Sequence, residues 1–350
     1  MARHEFNCLA TGIGSLPLTD PDAAAALALR YLPEAPIWPQ LPQRGFREQM
    51  AGQYSEALPG LVTDEARATF SFDTARDLTP ELERFFERYL AQDLEHFRIS
   101  ESHAAGFHAL LRALEKEPPA RARFLKGHVT GPLTAGLSYK DGQGRDIIHD
   151  ETLFDAVVKN LAMKAAWQVE RLGKFGRPVI VFIDEPAMET LGSAFSSVAP
   201  QLVAEKLDEI VRAIHERGGI AGIHCCGNAD WPLIFGTQAD IVNFDAFGYL
   251  ERVLLYPAEI RAFLGRGGAL AWGIVPTATF TGAETIDGLL GKLESGLERL
   301  VAAGIPRATL LRQGIITPSC GLGSLSLAQA EGILGLTLAV SGRLQRQIGR

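Results

Sequence analysis

The sequence predicts an α/β protein: a single (β/α)8 TIM-type barrel with a helical and hairpin elaboration near its N-terminus. Three observations carry this expectation. Short β-branched or apolar runs alternate with longer helical stretches, and repeated strand–helix units imply parallel strands joined by right-handed crossovers. The clearest strand, Val179-Ile180-Val181-Phe182-Ile183, is apolar throughout, as suits a parallel sheet covered on both faces. About eight such units fit, which favours a closed barrel over an open sheet. No Pro/Ser-rich linker divides the 350 residues, so residues 1–350 read as one domain.

Each element has a local reason. Leu9 to Leu16 reads as the first strand, running into a Gly-Ser loop. Asp20 to Leu32 is Ala-rich, with Asp20 as N-cap, and reads as a helix. Helices are expected over Phe46 to Leu58 and Pro80 to Phe97. Between them, Leu61-Val62-Thr63 and Thr69-Phe70-Ser71-Phe72 suit a small hairpin. His103 to Lys116 is a further helix. The rhythm then becomes regular: strand Arg123 to Thr130, a polar loop around Asp141-Gly142-Gln143-Gly144, helix Thr152 to Lys174, strand Val179 to Ile183, helix Ala199 to Arg217 and strand Ile220 to Cys226. Strand Ile241 to Phe244, helix Pro257 to Leu264, strand Leu270 to Val275, helix Ile286 to Ala303, strand Leu310 to Ile316 and helix Leu325 to Gln347 complete the series.

Composition excludes several classes of function. Lys and Arg number 34 against 41 Asp and Glu, a net charge of −7, which gives no basic footprint for nucleic acid or an anionic membrane. Apolar residues at 47% and charged residues at 21% are globular proportions. No apolar run reaches the roughly 18 to 20 residues that span a bilayer. The start, Met1 to Phe6, has no basic region followed by an apolar stretch, so no export signal and a cytoplasmic location are expected. Four cysteines are too few for a disulfide scaffold. In a reducing compartment such thiols are buried, catalytic or metal-bound.

In α/β barrels chemistry gathers at the C-terminal ends of strands. Here those ends carry Gly14-Ser15, Thr130-Gly131-Pro132, Asp184-Glu185, His224-Cys225-Cys226, Asp245 and Thr317-Pro318-Ser319-Cys320. Turn and cap duty covers Thr130, Asn228, Asp230 and Glu185. It covers His and Cys poorly. Side chains alternate along a strand, so His224 and Cys226 share one face and Cys225 takes the other. An imidazole and a thiolate on one face are half of a tetrahedral zinc site. Cys320 and Asp245 end other strands, and a ring of strands could gather all four, so His224, Cys226, Cys320 and Asp245 form the candidate metal set. The competing reading is a core histidine beside buried thiols. Gly12-Ile13-Gly14 does not open a dinucleotide fingerprint, because position 17 is Pro.

These residues resemble the C-terminal catalytic barrel of cobalamin-independent methionine synthase, within the superfamily that includes uroporphyrinogen decarboxylase. Thr11-Gly12-Ile13-Gly14-Ser15-Leu16-Pro17 is similar to that family's first-strand motif, and Arg47, Met50 and Glu56 keep the spacing of its next helix. Thr130-Gly131-Pro132, Ile183-Asp184-Glu185-Pro186-Ala187, His224-Cys225-Cys226, Ala239-Asp240-Ile241 through Asp245, and Pro318-Ser319-Cys320-Gly321-Leu322 follow in the family's order. The resemblance implies a zinc-dependent S-methyltransferase that activates homocysteine or another small thiol as a zinc thiolate. It implies that Ile13, Gly14, Ser15 and Asp184 lie beside the thiol. In that reading Asp184 binds an amino group and acts in catalysis, and Ser15 with nearby backbone N–H groups binds a carboxylate.

The departures bear on the thiol, which loses one amino-group partner, and on the methyl donor. The position of the family's homocysteine-contacting Glu falls on Gly52, that of its folate-stacking Trp on Ser138, and that of its proton-donor His on Val275. Its folate-contacting Glu falls near Thr190, with Glu189 one residue away. A folate donor must be protonated to leave, whereas methylcobalamin leaves without an acid. A donor other than polyglutamyl folate, such as a corrinoid, is therefore expected. Two alternatives stand beside this reading: a uroporphyrinogen-type decarboxylase, which needs a basic pocket and no metal, and a non-catalytic module that binds zinc or a corrinoid.

Overall fold

A computed structural model describes residues 4–191 and 198–348. Met1 to Arg3, part of the start read above for an export signal, lie outside the described residues. The chain opens with β1 (Leu9–Ala10) and α1 (Pro21–Tyr31). Asp20 caps α1, its carboxylate accepting from the N–H groups of Asp22 and Ala23 at 2.9 and 3.2 Å. The hairpin β2 (Leu61–Asp64) and β3 (Thr69–Phe72) follows, then α2 (Thr79–Leu90) and α3 (Ala105–Lys116). From β4 (Leu125–Thr130) the order is α4 (Pro132–Ser138), α5 (Glu151–Gly173), β5 (Val179–Asp184), α6 (Pro200–Glu216), β6 (Ile220–Cys225), α7 (Trp231–Gly236) and β7 (Ile241–Phe244). It continues through α8 (Leu250–Val253), α9 (Pro257–Gly265), β8 (Ala269–Val275), α10 (Ile286–Ala302), α11 (Arg307–Arg312), β9 (Gly314–Pro318) and α12 (Leu327–Ile348).

Seven strands form one parallel sheet in the order β1-β9-β8-β7-β6-β5-β4. Both edges of this sheet are hydrogen-bonded to residues 36–40. On one side Lys126 N–H donates to the Pro36 carbonyl (2.9 Å) and Trp38 N–H to the Lys126 carbonyl (3.1 Å). On the other, Gln40 N–H donates to the Gly14 carbonyl (3.1 Å) and Leu16 N–H to the Gln40 carbonyl (2.9 Å). A sheet whose two edges meet one short segment must curl. The closed eight-stranded barrel expected from the sequence is thus corrected to seven strands and one irregular stave. Pro36 and Pro39 have no N–H to give, so this stave cannot form a regular ladder.

Two further expectations are revised. Phe46 to Leu58 is not one α-helix but contains short 3-10 turns at Phe46–Glu48 and Gly52–Tyr54. Gly52 approaches the Phe46 carbonyl so closely that an added Cβ would lie 2.3 Å from it, and Ala57 adopts a positive φ of 70°, which a continuous helix forbids. The strand expected over Leu310 to Ile316 begins only at Gly314, because Leu310 and Leu311 bury themselves on α11 instead.

The inner face of the sheet is layered. Leu9, Phe124, Ile180, Phe182, Ile220, Ile241, Ala269, Ala271 and Ile315 form an apolar cluster around the N-terminal ends of the strands. Polar side chains are therefore left for the opposite end. There the strand register aligns Thr130, Asp184, His224 and Asn243 across β4 to β7. Cys225 points the other way, into the larger core between sheet and helices.

Candidate metal centre and its cavity

His224 is carried by β6 and Cys226 follows it directly, while Cys320 lies two residues past β9. One ligating atom from each, a ring nitrogen and two sulfurs, all lie within 4.8 Å of one another. The alternation read from the sequence explains the pair on β6, since His224 and Cys226 meet and Cys225 does not join them. The donors fit zinc by their chemistry, because imidazole and thiolate are its preferred protein ligands. Three protein donors are also the number found where a coordination position stays open for substrate. The other ring nitrogen of His224, Nδ1, lies 2.5 Å from Asn243 Oδ1.

The two sulfurs behave as a pair. The Cys226 thiol, hydrogen-bonded to Cys320, makes Cys320 more acidic than a free cysteine despite its burial. The same bond, with burial, makes Cys226 hold its own proton more tightly. The two thiols are thus coupled, and the titration of the metal-free pair belongs to both residues. Burial opposes charging His224, but Cys226, Asp184 and Asn243 together outweigh it and raise its pKa.

A cavity of about 260 Å³ opens beside these three residues. Ile13, Gly14, Ser15 and Asp184 line it together with Gln40, Gln49 and Met50. Asp184 is 5% exposed, and its Oδ1 has no hydrogen-bond partner. Burial pushes its carboxyl up to about 6, with His224 and Lys126 pulling the other way. Ser15 Oγ accepts from Gly323 N–H at 3.0 Å, tying the first loop to the segment after Cys320. Gly14 lies against the His128 ring, and an added Cβ would be 2.8 Å from it. Asp245 is not one of the three donors that meet; its Oδ1 accepts from Gly248 N–H at 2.6 Å.

Several residues important to the site carried no sequence signal. Lys126 is fully buried and donates from Nζ to the Ile13 carbonyl at 2.6 Å. Its ammonium also lies 4.0 Å from the centre of the Phe182 ring. Burial lowers its pKa to about 7, against the pull of Asp184. His128 stacks on Trp38, ring centres 3.9 Å apart, and neither of its ring nitrogens has a partner. A lysine or histidine inside an otherwise β-patterned run could have raised suspicion of an inward polar layer. Glu185 is structural: it accepts from Leu133 N–H (2.7 Å), Thr134 N–H (2.9 Å) and Thr134 Oγ1 (2.6 Å), holding the start of α4.

No protein-family model matches the chain, and no curated protein matches it. Among solved structures, a B12-independent methionine synthase from a Shewanella species, in complex with selenomethionine, matches with a TM-score of 0.56. The match covers 97% of this chain and 99% of that one at 16% identity. A 3-keto-D-glucoside 4-epimerase from E. coli covers 67% of this chain and 84% of its own at 12% identity, with a TM-score of 0.38. The second likeness is too slight to argue from. The first, at that identity, establishes a shared fold.

Proposed function

We propose that the chain is a zinc-dependent methyltransferase that methylates the sulfur of a small thiol bound in this cavity. The observation that carries the proposal is the approach of His224, Cys226 and Cys320, from two strand ends far apart in sequence, to one point on the cavity wall. A fold shared with a methionine synthase supports it. Zinc, when bound, would hold the substrate sulfur as a thiolate, the form that attacks well near neutral pH.

The chain's own residues supply binding and orientation. Asp184 offers an unpaired, buried carboxylate oxygen to a substrate ammonium. Ser15 receives its hydrogen bond from Gly323, which leaves its own hydrogen to donate to a carboxylate. Lys126 fixes the Ile13 carbonyl and with it the loop that carries Ser15. Together these groups suit homocysteine, an amino-acid thiol with a cationic and an anionic end. Among the described residues no Lys or Arg lines the cavity, which argues against the polycarboxylate substrate of a uroporphyrinogen-type decarboxylase.

The donor side has its own character. Ser138, where the family resemblance calls for a stacking Trp, bonds back to the Thr134 carbonyl within α4 (2.7 Å). On the thiol side, Gly52 has no room for the homocysteine-contacting Glu that the resemblance expects there, which leaves Asp184 to meet the substrate ammonium. Val275 is buried and has no proton to give. A donor that departs without protonation, such as a methyl-corrinoid, suits this site better than methyl-folate. Among the described residues no helix is long and apolar enough to cross a membrane.

The test is methyl transfer by protein of known zinc content. Homocysteine and a panel of small thiols are offered with methylcobalamin or with methyltetrahydrofolate polyglutamate. Thiol-dependent transfer from methylcobalamin, lost with the zinc and restored on its return, is expected. Ordinary turnover with the folate overturns the donor assignment. Zinc-loaded protein that methylates no thiol overturns the function.

A further inference from the structure

We infer that Asn243 is the positioning residue of the candidate metal centre, selecting which nitrogen of His224 can receive a metal and tying the His224 strand to the strand that leads to Cys320. The inference rests on the metal reading proposed above. Asn243 is fully buried on β7, in register with His224 on β6 and Ala271 on β8. Its amide nitrogen donates to the Ala271 carbonyl and to Thr317 Oγ1, both at 2.9 Å.

Those two bonds fix the amide's orientation. A backbone carbonyl only accepts, so the Asn243 nitrogen must face Ala271. The amide oxygen is then left facing His224 Nδ1 at 2.5 Å. An amide oxygen also only accepts, so Nδ1 must carry the ring hydrogen of the neutral imidazole. Nε2 keeps its lone pair for a metal. A free imidazole exchanges its hydrogen between the two nitrogens, and the other tautomer would turn an N–H toward the metal. Asn243 removes that tautomer by hydrogen bonding alone.

The same side chain also sets spacing. Thr317 lies on β9, three residues before Cys320. His224, Asn243, Ala271 and Thr317 thus form a hydrogen-bonded belt across four neighbouring strands. The belt joins the strand that bears His224 to the strand whose end bears the second sulfur. An outer partner of this kind both orients a metal-binding ring and holds the ligand set together.

Nitrogen-15 NMR of the histidine rings in metal-free wild-type protein tests the tautomer, with His224→Gln identifying the signal. A hydrogen on Nδ1 is expected, and a hydrogen predominantly on Nε2 overturns the inference. Chelator competition for zinc and the ligand-field spectrum of the cobalt(II) form test the consequence. Asn243→Leu, of similar size, should mix the tautomers and weaken zinc binding on the order of 10- to 100-fold. Asn243→Asp keeps an oxygen toward Nδ1 and should retain the tautomer, but a carboxylate has no hydrogen for the Ala271 carbonyl, so part of the belt and of the affinity should be lost. A merely structural role would lower stability and leave the tautomer unchanged. Zinc binding by Asn243→Leu within about twofold of wild type, with the tautomer intact, overturns the proposal. If that variant does not fold, loss of the Nδ1 hydrogen in Asn243→Asp does so equally. Wild-type protein that has the Nδ1 hydrogen yet takes up no zinc overturns the metal reading and the positioning role with it, separately from the tautomer.

Discussion

Replacing Asp184 with Asn should stabilise the metal-free protein while weakening substrate binding. Asp184 is 5% exposed, one of its oxygens is unpaired, and burial raises its carboxyl from an ordinary 3.8 to about 6. The native state therefore retains a proton that the unfolded chain releases between those two values. The associated stability is complete below about pH 4 and is lost as pH rises through about 6. At neutral pH a displacement from 3.8 to about 6 corresponds to about 3 kcal/mol of lost stability. The amide's own unpaired atoms return part of this, about 1–2 kcal/mol. The Asp184→Asn substitution is thus worth a net gain of about 1–2 kcal/mol at neutral pH. Urea unfolding of wild type and Asp184→Asn across a pH series measures the difference. The gain should vanish and reverse, to a net loss of about 1–2 kcal/mol, as pH falls below about 4, where only the amide's unpaired atoms still count. A difference independent of pH would refute the argument, and loss of zinc from Asp184→Asn would show that the carboxylate serves the metal instead of the substrate.

Three other substitutions probe the same architecture. Cys226→Ala and Cys320→Ala should each lose stoichiometric zinc on metal analysis, whereas Cys225→Ala, which removes a thiol from the outer core, should keep it. Equal loss in all three would contradict the strand register. Gly14→Ala drives a Cβ to within 2.8 Å of the His128 ring, itself held against Trp38. An unfolding midpoint lower by an equivalent of about 1–3 kcal/mol is expected, and an unchanged midpoint would mean that the ring can step aside. Glu185→Ala strips the partners from two backbone N–H groups and a hydroxyl at the start of α4. It should cost about 2–4 kcal/mol in denaturant unfolding with zinc content unaffected; a variant that loses zinc instead would assign Glu185 to the site.

What the sequence made legible follows from period and chemistry. The alternation of β6 was enough to pair His224 with Cys226 and to set Cys225 aside. The wholly apolar run of β5 announced a strand covered on both faces, and the cap at Asp20 marked the start of α1. Residues 36–40 were opaque for a physical reason: Ala35-Pro36-Ile37-Trp38-Pro39-Gln40 carries turn formers in a place where tertiary bonds, not propensity, impose extension. The apolar pair Leu310-Leu311 reads equally as strand or helix, and burial against neighbours decided it. Asn243 was hidden because an amide on a strand has no motif; its importance comes only from which backbone carbonyl lies opposite. Asp245 is expected from its place at a strand end, where a turn also recruits a carboxylate: Gly248 N–H occupies its Oδ1.

The stave built from residues 36–40 divides the molecule's tolerance for change. Gln40 and Pro42 belong to the cavity rim, and the Gln40 backbone is anchored by two bonds, to Gly14 and Leu16, at one sheet edge. The thiols, by contrast, sit at the ends of strands clamped on both sides within the ladder. Replacements just beyond Gln40 would reshape the entrance while leaving the strand ladder in place, although Gln43 also bonds to the Gly323 carbonyl past Cys320. Evolution, or an engineer, seeking a new acceptor has a remodelling hinge there, separate from the chemistry it serves.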